Sequence, residues 1–357
     1  MATQILTSDN LAVKHWSAAL FRQALGNMYF QKFIGKSDNS MIQQKFDLTK
    51  DRGDQITFGL RMKLTGAGVI DDDTLEGSEE TMTFYNYAQP VHLRSNAVVS
   101  AGKMTDRMSM VNLKTEFKNA LADWLEEILE ADIIYALSGL ANSAATISAN
   151  APSDNRKWFG GQTAAGTVYS VANDAAITSS TNHLFGPEVI SVIKRKAKMA
   201  TPKIRPVKVG GEDLYIMFIH PYQAKALKAC TNWLNAQYYA ADRGKSNPIF
   251  KGADYLGIWD GVAIYEHDGI LRKLKTGSQY FEAGDVCGID SVCRALFCGA
   301  QAGVIGYAQY PGWYEKNFDY NRVPGVATDV IYGVGKPEFN SEDFGVITVD
   351  TAGIADS

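Results

Sequence analysis

Any chemistry in this sequence must come from a small set of residues. His220 stands where an apolar run, "EDLYIMFI", passes into a helical one, "HPYQAKALKACTNWL", a junction at which α/β enzymes often place catalytic groups. Nothing adjacent in sequence partners it. His267 falls beside Glu266 and Asp268, close to Asp260, in "GIWDGVAIYEHDGI", which reads as strand, turn, strand, so a solvated turn is expected there. Cys287, Cys293 and Cys298 with His267 make four potential zinc ligands, but no CxxC pair is present. Two of these thiols flank "RALF" in an apolar β run, where a free cysteine acts as a small buried hydrophobe. Asp71, Asp72 and Asp73 offer oxygens to calcium but lack the alternating register of an EF-hand loop. "GKS" at Gly244 has Tyr239 where a phosphate loop needs its first glycine, and "TGAGVI" at Thr65 lacks the third glycine of a dinucleotide fingerprint. No GxSxG or HExxH occurs. The residues predict no catalysis, no metal and no cofactor.

The chain has 357 residues, 46% of them hydrophobic and 21% charged, with 32 Gly and only 10 Pro, which describes a folded, turn-rich protein with a large core. A net charge of -4 argues against a dedicated nucleic-acid binder. The start, "MATQILTSDNLAVKHW", lacks the basic and apolar regions of a secretory signal, and "ALFCGAQAGVIGYA" is too short to span a bilayer. Four cysteines without a paired framework fit free thiols in a reducing compartment.

Several elements are legible. Asn10 can cap a helix that carries Val13, Trp16, Leu20, Phe21 and Leu25 on one side. From Gln55, Ile56, Phe58, Leu60, Met62 and Leu64 alternate with Thr57, Arg61 and Lys63, giving a strand with one apolar face. A second β-prone run, Thr81 to Tyr87, follows a long tip rich in glycine and acid (Asp71, Asp72, Asp73, Glu76, Glu79, Glu80). So long an arm serves a function, and something must cover its apolar side. Lys103 to Ser138 contains neither Gly nor Pro and carries a stripe of Leu113, Phe117, Leu121, Trp124 and Ile128, so one long helix is expected. From Gly139 to Asn182 the composition shifts to small polar residues, as in a loop or insertion. Pro187 and Glu188 open the next helix, and the end of the chain supplies further β runs, so the fold class is α+β.

Seven basic residues with no acid among them (Lys194, Arg195, Lys196, Lys198, Lys203, Arg205, Lys208) form either a solvated helix face or a contact for phosphates or an acidic neighbour. "YAQYPGWYEKNFDY" packs six aromatics into one stretch and reads as an interface.

Several stretches, in order, resemble the major capsid proteins of N4-like tailed phages: "VKHWSAALFRQAL", "DRGDQITFGLRMKLTGAGV", "TLEGSEE", "AGKMTDR" with "ALADWLEE", "FIHPYQAKALK", "LFCGAQAGVIGYAQ" and "DFGVITVDTA". The resemblance implies an HK97-type capsid fold. It divides the chain into an N-terminal arm (1–53), an extended hairpin loop (54–92), a peripheral domain with a spine helix at about 103–138 and an insertion (93–182), a mixed α/β axial domain (183–285) and return strands of the peripheral domain (286–357). It also implies a non-enzymatic shell protein of an icosahedral head, assembled in the host cytoplasm as hexamers and pentamers of itself, with a portal and scaffold or decoration proteins. Packaged double-stranded DNA would be touched without specificity, and no membrane is involved. On this reading the apolar side of Ile56, Phe58 and Leu60 is covered by a neighbouring subunit as well as by its own. The alternative is an encapsulin-like compartment shell.

Overall fold

The computed structural model describes residues 19–26, 28–46, 53–61, 64, 66, 68–71, 74–77, 79–82, 84–109, 112–141, 150–163, 165–178, 182–209, 211–239, 254–274, 291–320 and 322–353. Helix α1 (19–26) leads through a 3-10 turn (Tyr29–Phe33) to β1 (Ile34–Gly35), β2 (Ile42–Lys45), β3 (Gln55–Arg61), β4 (Phe84–Pro90) and β5 (His92–Val99). Then come α2 (Lys103–Met108), α3 (Leu113–Ser138), β6 (Lys157–Phe159), α4 (Pro187–Met199), β7 (Val207–Val209), β8 (Glu212–Ile219), α5 (Pro221–Ala229) and α6 (Thr231–Tyr239). The remaining strands are β9 (Tyr255–Trp259), β10 (Val262–Glu266), β11 (Arg272–Leu274), β12 (Ser291–Cys298), β13 (Gly303–Phe318), β14 (Val323–Gly335), β15 (Glu338–Phe339), β16 (Glu342–Asp343) and β17 (Val346–Ala352).

Two main sheets form among the described residues. One has the order β6-β17-β12-β8-β10-β9, with β11 on β12 and β7 on β8; the other has the order β1-β2-β13-β14-β5. The first is apolar on both faces. Leu214, Ile216 and Phe218 of β8 join Leu296, Cys298 and Val346 in the core beneath α3. The alternate residues Tyr215, Met217 and Ile219 join Phe297, Ile347 and Val349 in a second core against α4 and α5. A strand buried on both sides reads as an unbroken apolar run, which is why "EDLYIMFI" stood out.

The helix expected at 103–138 is two helices. Ser109 leaves the helical region with φ -70° and ψ 132°, and Asn112 restarts it, its side chain accepting from Lys114 N. At 26 residues α3 is about 39 Å long. It ends at Gly139, whose φ of 73° lets the amides of Gly139 and Leu140 reach back to Ala136 and Tyr135. The single stripe holds only for its first half; near the C-terminus Ile133, Ile134, Ala136 and Leu137 are all buried because sheet and N-terminal segment flank it.

Other boundaries also differ from expectation. Residues 19–46 are not a free arm: Leu20, Ala24, Phe30 and Phe33 sit in the main core, and β2 pairs with β13. The described part of 139–182 is no simple loop, since β6 pairs with β17 and Arg156 is fully buried. The segment 286–357 serves both sheets: β13 and β14 belong to the five-stranded one, whereas β12 and β17 pair with each other beside β8. Pairing partners this distant in sequence leave no local signal. Among the described residues no helix is long and apolar enough to cross a membrane.

Candidate assembly surfaces

His220, His267, Cys293 and Cys298 each have a structural place in the described fold. The His220 ring caps α5, its Nδ1 accepting from Tyr222 N at 3.2 Å while Gln223 Oε1 accepts from His220 N. Burial, with Arg272 nearby, lowers its pKa to about 4, so the ring is neutral. His267 is not on a solvated turn. Its ring centre lies 4.5 Å from that of Tyr29, its Nδ1 accepts from Gly269 N at 3.0 Å, and burial lowers its pKa. Cys293 and Cys298 are buried in β12 at positions of opposite parity, so they point to opposite faces of the sheet; burial pushes the Cys293 thiol up to about 12 and Cys298 higher still. Cys287 lies outside the described residues.

The arm is built from β3 and β4, paired antiparallel from Gln55↔Pro90 to Arg61↔Phe84. Its base lies on the sheet of its own chain. Ile56, Phe58 and Leu60 are buried, the first two against Val304 and the last against Phe339 and Phe344. Two glycines make this approach possible. A Cβ at Gly306 would lie 2.5 Å from Ile56 Cδ1, and one at Gly333 would lie 2.1 Å from Pro90 O. The two glycines are directly paired across β13 and β14, so they form one flat floor under the hairpin. The face expected to need a neighbour is thus covered by the subunit itself.

Further out the arm changes character. Leu64, Ile70, Leu75, Met82 and Phe84 are between 45% and 69% exposed. The acids of the tip have specific roles: Glu80 Oε2 accepts from Gly66 N at 2.7 Å, closing the neck of the loop, and Glu79 Oε2 accepts from Gly77 N at 2.8 Å. Asp71 takes φ 53°, and both it and Glu76 are exposed. Lys63, Asp72 and Asp73 lie outside the described residues, and Arg61 is described only by its backbone pairing with Phe84.

A second exposed surface lies on the same sheet face as the glycine floor. Residues directly opposite each other share a face, so the register Leu93↔Ile331, Ala97↔Ala327↔Tyr314 and Val99↔Gly325 continues the face of Gly333. Leu93, Val99, Tyr314 and Phe318 are exposed there, and Tyr320 at the turn of the ribbon is 99% exposed. The opposite face is closed against α3 by Trp313, Val326 and Val330, by Arg94 and Tyr332 on Asp132, and by Lys114 on Glu315. The aromatic stretch around Trp313 therefore divides between core and surface.

The basic stretch also divides. Lys194 pairs with Asp260 at 2.6 Å, Lys196 donates to Lys157 O, and Arg205 donates to Gln301 Oε1. Arg195, Lys198, Lys203 and Lys208 are exposed.

A long α3 under one sheet, a second sheet packed on both faces and an extended hairpin together define the HK97-type shell fold. The capsid of Ralstonia phage GP4 shares it at a TM-score of 0.78 and 27% identity, covering 100% of both chains. The capsid of cyanophage Pam1 does so at 0.70 and 26%, covering 100% of this chain and 97% of that one. The phage capsid protein family matches residues 4–355, and the chain belongs to it. It is 32% identical to the major capsid protein of Pseudomonas phage KPP25, an alignment covering 97% of this chain and 96% of that protein.

Proposed function

We infer that this protein is the major capsid protein of a tailed phage, assembling as hexamers and pentamers into an icosahedral head around double-stranded DNA. The observation that carries this is an exposed apolar arm and an exposed apolar sheet face on a chain that matches phage capsid proteins nearly end to end. The outer arm of one copy, with Ile70, Leu75 and Phe84, covers the open part of a neighbour's sheet at Leu93, Val99 and Tyr314. The acidic tip, with Asp71, Asp72, Asp73 and Glu76, adds register more than strength, because an exposed charge pair contributes only about 0 to 1 kcal/mol. Each contact is weak, and repetition in a closed shell makes the total large.

The segment 183–285, built on the doubly buried sheet, gathers around the symmetry axes in this proposal. Exposed Arg195, Lys198, Lys203 and Lys208 offer packaged DNA a non-specific contact, assembly takes place in the host cytoplasm, and portal and scaffold proteins join there. The protein turns over no substrate. The N4-like affiliation rests on the sequence stretches given above.

Negative-stain electron microscopy of the protein expressed alone and with its phage's scaffold tests the reading. Closed shells, tubes or sheets are expected in at least one case. Particles lost in a Leu75→Asp, Phe84→Asp variant whose subunit still melts cooperatively would place the contact on the arm. Compact small species under both conditions would overturn the proposal.

A further inference from the structure

A polar cavity of about 230 Å³ lies where the arm joins the body, at the step from β4 to β5. The strand β5 begins at His92, opposite Tyr332. Beyond that point the edge of β14, from Gly333 to Gly335, pairs with no strand on that side among the described residues. Tyr87 and Gln89 of the hairpin, His92 and Arg94 of β5, Asp132 of α3 and Lys336 just past β14 line the space. Four separate parts of the chain therefore meet at the root of the arm.

An inventory of hydrogen bonds gives the sign of what this space can hold. The carboxylate is engaged on both oxygens: Asp132 Oδ2 accepts from Tyr332 OH at 2.6 Å, and Oδ1 accepts from Arg94 NH2 at 3.3 Å. The hairpin side chains satisfy each other, since Tyr87 OH donates to Gln89 Oε1 at 2.9 Å and Gln89 Nε2 donates to Pro90 O at 3.0 Å. The donors are not used up. Arg94 spends one guanidinium N–H on Asp132 and keeps others. Lys336 Nζ pairs with Asp343 Oδ1 at 2.8 Å, has no other partner among the described residues, and at 1% exposure has no bulk water to turn to. His92 is half-buried and its ring has no hydrogen-bond partner among the described residues. Alternate residues of an unpaired strand edge also direct their N–H outward, which adds a backbone donor from Gly333–Gly335. The ion pairs of Arg94 with Asp132 and Lys336 with Asp343 cancel in charge, and the surplus side-chain capacity is all on the donor side.

We propose that this cavity binds a small tetrahedral oxyanion of the phosphate class. Such an ion is all acceptor, and its oxygens point in every direction. That suits donors arriving from β5 through His92 and Arg94, from Lys336, and from the open edge of β14. A planar carboxylate would meet fewer of them. The size of the space admits phosphate or a small phosphate monoester and excludes a nucleic-acid duplex. No bond is made or broken; the ion is a structural ligand. It ties β5 to the end of β14 at the point from which the hairpin departs, and so stiffens the root of the arm. Binding requires no second subunit, so its test is independent of whether the protein builds shells.

Isothermal titration of the full-length subunit with inorganic phosphate, at an ionic strength held constant with chloride, reads the site directly. The expected result is saturable binding, with slower amide exchange at residues 84–94 when phosphate is added. Lys336→Gln should abolish binding, but it also leaves Asp343 buried without its cation. His92→Asp loses no hydrogen-bond partner and sets a carboxylate against the ion. It is expected to melt with the wild type and to bind about tenfold or more weakly, the equivalent of one charge-assisted hydrogen bond. Glycerol phosphate in a second titration separates two sources of the same chemistry. Binding that His92→Asp also weakens assigns the ligand to a phosphate ester, and a response to inorganic phosphate alone assigns it to the free ion. No saturable binding of either, equal affinity in wild type and His92→Asp, or unchanged exchange at 84–94 overturns the proposal and leaves the shell reading standing.

Discussion

The two sheets of this subunit differ in how they are finished. In the sheet around β8 and β12 every residue of β17 is buried, and its polar members find partners inside the chain. Arg294 grips Asp350 through two bonds of 2.8 and 2.7 Å and also donates to Ser138 O, while Gln223 donates to Thr351 Oγ1 at 2.7 Å. The sheet of β13, β14 and β5 is closed on the α3 side only. On its outer side the hairpin base covers the end near Gly306 and Gly333 and leaves Leu93, Val99 and Tyr314 open. The first sheet is buried on both faces within the chain. The second leaves apolar side chains open, and on the proposed docking this difference separates folding from assembly within one chain.

That separation is sharpest where charge is buried. Asp350→Ala leaves Arg294 inside the closed sheet without its carboxylate, and a loss of about 3 to 5 kcal/mol is expected in urea unfolding. The double variant Arg294→Met, Asp350→Leu should recover much of it, because well-packed apolar residues can replace a buried ion pair. A single variant no less stable than wild type would break the comparison. At the seam between α3 and the second sheet the effect is smaller. Tyr332→Phe removes a donor 2.6 Å from the buried Asp132 Oδ2, so a loss of about 1 to 3 kcal/mol is expected.

Acid probes the closed sheet more gently. The native His220 pKa is depressed from 6.5 to about 4, so between these values the unfolded chain binds a proton there that the native chain does not. The stability gained by keeping the ring neutral is therefore present above about pH 6.5 and lost as pH falls toward 4. His267, also lowered, acts in the same direction. His220→Asn preserves a side-chain cap for α5 without the titration, and should lose less stability than wild type between neutrality and about pH 5. Equal losses in both proteins would remove His220 as a source of acid sensitivity.

Much of this was legible in the sequence, and the physical reason divides along the same line. "EDLYIMFI" announced a strand buried on both faces, and the alternation from Ile56 to Leu60 announced a strand with one apolar face, because period and polarity are local. What covers that face was not local. It depends on Gly306 and Gly333, far along the chain, meeting at one register position. Glycine spacing in "GVIGYA" and "IYGVG" was the available signal, and it reads equally well as turns. The break at Ser109 was hidden because nothing in "MSMVN" forbids a helix. The buried ion pair of Lys336 and Asp343 was invisible until the tight β15–β16 hairpin set its register. The resemblance of several stretches carried the shell reading; the hairpin base is covered by its own chain, which is why the proposed contact lies on the outer half of the arm.

The smallest expected effect on folding is the one that most sharpens the comparison. Leu93→Glu with Tyr314→Ser places charge and polarity on the open sheet face, at side chains 61% and 53% exposed. Substitutions at exposed positions that lose no buried partner usually change stability by no more than about 0.5 kcal/mol, so the subunit should unfold at nearly the wild-type urea midpoint. Shell formation under the same conditions should fail, since the face would present a charge to the apolar arm of its neighbour. A large loss of stability would mean that this face is already packed within the subunit, and intact shells would mean that the arm docks elsewhere. Unchanged folding together with lost assembly is the outcome that a half-covered sheet requires.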